Sequence, residues 1–255
     1  MKYSLVKITI LNNSMVENND ILEQLFVKYP FNPNDLYRLV CGVKHCAVEL
    51  KNGNIGLCST LGVAIKQDLN ILENPDLSRI DNRILINAWV NACANYSVPA
   101  NGEGDVFDVV DFTKYNNIVM IGYFGSLSKK FENAGVPVTI FDLDPTDKPV
   151  APIETQHIHL AKANAVILTA TSISNMTFNQ LMQNTADNAD VFILGPSTTL
   201  SDYLLNLPKV KALFGSRFVS FDSNSLDIIE SGGGTKSVLP FIKKVYLYKK
   251  SNSKS

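Results

Sequence analysis

The chain has 255 residues, 45% apolar and 18% charged, with a formal net charge of −1. That length holds one large domain or two smaller ones, and the balance is ordinary for a soluble globular protein. It excludes a strong global field that would draw in nucleic acid or an acidic membrane, and no apolar run reaches the ~18 residues of a helical membrane span.

The first residues, Met1 to Lys7, lack an apolar core and a small-residue cleavage site, so export is not expected. The expected location is cytoplasmic, with the four cysteines as reduced thiols. Ile21, Leu22, Leu25 and Phe26 then follow Asp20 at helical spacing, with Asp20 as N-cap. Residues 37–43 read as a strand. Residues 46–50 and 55–59 flank Lys51, Asn52, Gly53 and Asn54, a hairpin signal because Asn and Gly both accept positive φ. Ile80, Ile84, Ala88 and Ala92, with Leu85 and Trp89 beside them, mark one face of a longer helix, for which Asp81 is the expected cap.

Pro and Gly between residues 96 and 111 break this pattern. The expected division is an α+β unit over residues 1–108 and a second unit over 109–255. In the second unit, strands and helices alternate. Apolar runs at 118–121, 138–141, 165–168 and 191–194 lack alternation, as do strands buried on both faces of a parallel sheet. Leu127, Phe131 and Ala134 form a helix face closed by Gly135, and Phe178, Leu181, Met182 and Thr185 form another, after Ser174 and Asn175. The fold class is therefore α/β, a Rossmann-like, doubly wound, mostly parallel sheet preceded by a smaller α+β unit. Five lysines from Lys243 to Lys254 read as a solvated tail.

Each apolar run ends in Gly, hydroxyl or acidic residues, and ligands bind at such strand ends. Gly122, Tyr123, Phe124 and Gly125 follow the first run, and Asp142 lies 20 residues after Gly122 at the end of the next. That is the layout of a mononucleotide-binding half, in which glycines admit a phosphate and the acid takes a ribose hydroxyl. A third glycine is missing, position 127 being Leu, so a plain strand-to-helix turn reads equally well. Thr169 to Asn175 and Gly195 to Thr199 carry hydroxyls that either cradle an anion or cap helices. Ser231, Gly232, Gly233, Gly234 and Thr235 suggest close approach to a ligand or to another backbone, against a plain loop.

A metal reading of Cys41, His45, Cys46 and Cys58 runs against spacing. Cys41 and His45 stand ~13 Å apart in an extended strand unless Gly42 folds the chain, and His45 and Cys46 point to opposite faces. No Cys-x-x-Cys pair occurs, and buried, inert thiols are expected. His157 and His159 fall in a helical stretch, 154–162, which turns the rings apart. With three histidines in the chain, Asp142, Asp144 and Glu49 remain as general-base candidates.

The second half resembles a prokaryotic family labelled putative heavy-metal chelation. The residues that carry the resemblance are Ile121 to Gly125, Val138 to Asp142, Ala165 to Thr171, Ser174 to Thr177, Leu194 to Thr199 and Gly232 to Gly234, spanning roughly 109–245. The first half is similar to that family's enolase-N-terminal-like companion domain through residues 42–62 and 84–91. This sequence has Tyr123, Phe124 and Gly125 where Phe-Pro is expected, and Asp142 where Glu is usual. The resemblance implies a cleft between the two units, with Gly122, Tyr123, Gly125, Asp142, Thr171, Asn175, Pro196, Ser197, Thr198, Gly232 and Gly233 as the expected binding residues. Its partner is a metal ion or a metal-chelating small molecule, not nucleic acid or membrane, and a homo-oligomer stays open. The rival reading is an enzyme with an adenosine-type cofactor, a nucleotide or S-adenosylmethionine, clamped by Asp142. A third is an interaction module with a vestigial cleft.

Overall fold

The computed structural model describes residues 20–249. The N-terminal leader question and the last lysines, Lys250 and Lys254, lie outside them. Helix α1 (Ile21–Lys28) starts at Asp20, whose carboxylate accepts the backbone N–H groups of Leu22 and Glu23 as expected of an N-cap. Strands β1 (Leu36–Cys41), β2 (His45–Leu50) and β3 (Ile55–Ser59) form an antiparallel meander. In the β2–β3 turn only Gly53 takes positive φ, at +84°. Asn52 instead accepts the Asn54 N–H with its side chain, so the turn is not the doubly left-handed type its Asn-Gly pair suggested.

Helix α2 (Ile80–Ala94) lies across this small sheet. Asp81 does not cap it. The helix begins one residue earlier, and Asp81 sits inside the first turn, paired with Arg79. Gly56 of β3 touches the helix backbone, since a Cβ there would lie 2.1 Å from the Ala88 carbonyl oxygen and the Ala92 nitrogen. The small residues at Ala88 and Ala92, on the apolar stripe read from the sequence, permit that contact.

The large sheet holds β4 (Gly102–Glu103), β5 (Ile118–Ile121), β6 (Val138–Phe141), β7 (Ala165–Thr169), β8 (Asp190–Leu194), β9 (Val210–Phe218) and β10 (Ile242–Tyr248). Their order is β4-β10-β9-β8-β7-β5-β6, parallel from β6 to β9, with β10 antiparallel to β9 and to β4. The architecture is thus α/β. Lys243 and Lys244 are not in a solvated tail. They belong to β10 and pair with Glu103 and Asp105.

Between the strands lie α3 (Gly125–Asn133), α4 (Gln156–Leu160), α5 (Thr171–Ser174), α6 (Phe178–Asn184), α7 (Ser223–Glu230) and α8 (Thr235–Val238). Gly135 takes φ +66° just past α3, the conformation a helix-ending glycine supplies. Among the described residues no helix is long and apolar enough to cross a membrane.

The layers follow from which strand face carries which residue. Val119, Ile121, Val166, Leu168, Val191 and Ile193 face α1, α2 and one side of the small sheet, in one continuous core. Ile118, Met120, Ile140, Ile167 and Phe192 face the opposite way, onto Phe112, Leu127 and Phe131. Val40, Ala47, Ile55 and Leu57, on the outer face of the small sheet, are covered by Leu226 and Ile229 of α7. Two observations bear on the division expected at 108/109: β4 joins the large sheet before that point, and α7, late in the chain, packs on the N-terminal sheet.

Candidate functional site

The chain leaves β5 toward β6 on one side, then crosses back to β7 on the other. The carboxyl ends of β5 and β7 are therefore a topological switch point, where loops diverge and leave a crevice. Gly122 ends β5 with φ +91°, and a Cβ on it would meet the Thr169 Cβ at 2.9 Å. Glycine is needed there to bring the two strand ends together.

A cavity of about 290 Å³ occupies this crevice. Gly122, Tyr123, Asp142, Thr171 and Asn175 line it, so the structure brings five of the expected residues to one place. The turn after β3 forms the facing wall through Ser59 and Leu61, and Phe124, Phe141 and Leu181 add apolar surface. The hydroxyls of Thr169 and Thr171 bond each other at 2.8 Å. Asn175 accepts from Thr177 N–H and Oγ1 with its Oδ1, and its side-chain NH₂ has no partner among the described residues.

Asp142 is largely committed. Its Oδ2 accepts the Tyr123 N–H at 2.6 Å, and its Oδ1 accepts the Asp144 N–H at 2.8 Å and Lys148 Nζ at 3.0 Å. Three of the four lone-pair positions of a carboxylate are thereby used, which leaves no pair of acceptors for a bidentate grip on ribose. Gly125 lies beneath the Tyr123 ring, 3.4 Å from where its Cβ would be.

The remaining expected residues lie elsewhere. Pro196 lines a neighbouring apolar cavity of about 430 Å³ with Phe124, Leu127, Phe214 and Thr235. Ser197 and Thr198 are buried and line neither cavity. Gly232 and Gly233 cap α7, donating N–H to Ile229 and Ile228 carbonyls at 3.0 and 2.8 Å. The glycine loop's close approach is thus to its own helix backbone. Glu49 lies on β2 opposite Arg38, away from the crevice, and burial raises its carboxyl above the usual range. Asp144 sits in the exposed loop beside Lys148.

Sequence reading missed the partner of Ser197 and Thr198. Arg83, Asn87, Asn91 and Asn95 stand four residues apart along α2 and its C-cap and form a polar ladder facing the large sheet's loops. Arg83 donates to the carbonyls of Ile173 and Ser174 and pairs with Asp20. Asn87 donates to Ser174 Oγ at 2.8 Å. Asn91 donates to the Leu57 and Ser197 carbonyls and accepts the Thr199 hydroxyl at 2.6 Å. Asn95 donates to the Thr198 carbonyl and accepts the Leu200 N–H. The i, i+4 spacing was the available signal, since a helix buried on all sides needs protein partners for most of its polar groups; Asn87 Oδ1 is the exception among the described ladder atoms.

The condition left open for the cysteines is met. Gly42 does fold the chain, its N–H bonding the His45 carbonyl, and Cys41 faces Cys46 across a tight hairpin. Cys46 in turn faces Cys58 on β3, so three thiols lie in one row across the small sheet. They remain free thiols. The hydrogen bond with Cys46 lowers Cys41, the same bond and then burial raise Cys46, and burial pushes Cys58 up to about 11. Among the described residues no three of His, Cys, Asp or Glu converge to hold a metal ion. His159 packs edge-on against Phe141 rather than beside His157. Among the described residues, then, the side chains present no cation centre of the usual three or four ligands.

The sequence profile of the DUF364 family, described as putative heavy-metal chelation, matches residues 105–248. A solved protein of unknown function of that family from Pyrococcus horikoshii superposes with a TM-score of 0.75 at 19% identity, covering 90% of this chain and 98% of its own. One from Desulfitobacterium hafniense DCB-2 gives 0.70 at 18% identity, covering 90% and 97%. At that identity the likeness concerns the fold. No curated protein matches the chain.

Proposed function

The chain belongs to the DUF364 family, and on that premise we propose that it binds a metal-chelating small molecule in the crevice between the small sheet and the ends of β5 and β7. One observation carries this reading. The crevice offers hydrogen-bonding groups with unused capacity, Asn175 above all, on an apolar floor, yet among the described residues no set of side chains suits a bare cation. A ligand that brings its own donor atoms to the metal fits such a wall, because shape and a few polar contacts suffice to hold an organic chelate. In this reading the first unit is enolase-N-terminal-like, the second Rossmann-like, and the site lies between them. Four free cysteines, three of them facing one another in a row, support a reducing cytoplasm.

The rival reading, an enzyme with an adenosine-type cofactor, loses its clamp because Asp142 is spent on Tyr123, Asp144 and Lys148. The test is thermal unfolding with Fe(III), Cu(II) and Ni(II), each as the free ion and as hydroxamate or bipyridyl complexes, beside ATP and S-adenosylmethionine. A complex at a hundred times its Kd adds about 2.7 kcal/mol of stability. Stabilisation by one or more complexes, lost in Asn175→Ala, supports the reading. Stabilisation by nucleotide or S-adenosylmethionine instead overturns it.

A further inference from the structure

A third and larger cavity, about 800 Å³, lies on the other side of the β3 turn. Ser59 lines both this cavity and the crevice, while Thr235 and Lys236 line both it and the apolar cavity. The third cavity thus adjoins each of the other two, at Ser59 and at Thr235 and Lys236. The chemistry of the third differs from that of the other two. Two lysines line it, Lys44 from the β1–β2 hairpin and Lys236 from α8, and among the described residues no Asp or Glu does. Neither lysine has a carboxylate partner among the described residues. Ser59, Thr60, Thr235 and Ser237 contribute hydroxyls to the same lining.

The floor includes His45, only 4% exposed. Its Nε2 lies 3.2 Å from Thr235 Oγ1, and its ring also interacts with the Gly233 backbone. The missing side chain of Gly234 makes room for Lys44, whose Cδ would lie 3.0 Å from a Cβ there. The last glycine of the run therefore serves to lay a lysine along the rim of this cavity.

We propose that this cavity is an anion site that takes a phosphate or carboxylate group through Lys44, Lys236 and the hydroxyls of Thr60, Thr235 and Ser237, with His45 beneath. Ammonium groups without acidic neighbours, together with hydroxyl donors, are the recognition chemistry of such groups, and a lysine serves there as a mobile point charge. The proposal stands apart from chelate binding in the crevice and needs no metal.

The test is calorimetric titration of the metal-free protein with inorganic phosphate and, separately, with citrate. Binding of either with a Kd below ~1 mM, weakened ~10-fold or more in Lys44→Ala/Lys236→Ala, is the expected result. Preference for phosphate identifies a phosphoryl ligand, and preference for citrate a carboxylate. Lys51→Ala/Lys129→Ala, which removes the same charge at two exposed sites lining none of these cavities, leaves the affinity unchanged. The proposal is overturned if neither anion binds below ~10 mM, or if both double variants weaken binding equally. No chelate or metal enters this titration, so its failure and the failure of the crevice reading are separately visible.

Discussion

The buried ladder on α2 and the crevice at the ends of β5 and β7 are built from the same kinds of residue, amides and hydroxyls, and they do opposite work. In the ladder, Asn91 and Asn95 and most of the groups they face have partners inside the protein. In the crevice, Asn175 uses its oxygen on Thr177, while its NH₂ has no partner among the described residues. A hydroxyl or amide at a strand end thus says little by itself. Whether its capacity is spent internally decides if it fixes the fold or awaits a ligand.

The sharpest way to break this contrast is Arg83→Met. Arg83 is 2% exposed and holds Asp20 together with three carbonyls. Removing one partner of a buried ion pair costs about 3–5 kcal/mol, read as a lower urea midpoint. Asn91→Ala strips two carbonyls and a hydroxyl of their partner and costs on the order of 3 kcal/mol by the same measurement. Gly122→Ala forces a side chain into positive φ against Thr169 and costs about 1–3 kcal/mol. By contrast, Asn175→Ala in the crevice changes stability by less than ~1 kcal/mol while removing chelate binding. If Asn175→Ala destabilises as much as Asn91→Ala, the two regions are not different in kind.

Two smaller effects sharpen the comparison. Burial pushes the Asp20 carboxyl up, but the Arg83 guanidinium and the helix N–H groups more than offset it, so the net shift is down. A depressed acid stabilises the fold above its unfolded pKa, and that contribution is lost as pH falls through the folded value. The gap in urea midpoint between the native chain and Arg83→Met is therefore full above about pH 5 and narrows below about pH 4. Among the thiols, Cys41 is half-buried and lowered by its bond with Cys46, while burial raises Cys58 to about 11 and Cys93 to about 12. Iodoacetamide on the native protein should therefore label Cys41 first, as peptide mapping would show.

The sequence made the crevice legible because strands buried on both faces leave unbroken apolar runs, and the polar residues that end them mark where loops begin. Gly122, Asp142 and Asn175 were found that way. Ser197 and Thr198 look the same in sequence, and only the position of α2 shows that they answer Asn91 and Asn95. The ladder escaped notice because attention to the apolar stripe at Ile80, Ile84, Ala88 and Ala92 hides an equally regular polar stripe one position away. The thiol row was obscured for a different reason. Cross-strand neighbours depend on where the chain reverses, and one turn at Gly42 converts distant cysteines into facing ones.

Equilibrium dialysis of the metal-free protein against Ni(II), Cu(II) and Fe(III), each as the free ion and as its hydroxamate or bipyridyl complex, tests the central claim most directly. Retention of a complex at one per chain, with free ions passing through and Asn175→Ala abolishing retention, is the predicted result. Tight one-to-one retention of a free ion would contradict it, since the ligands would then come from the protein itself.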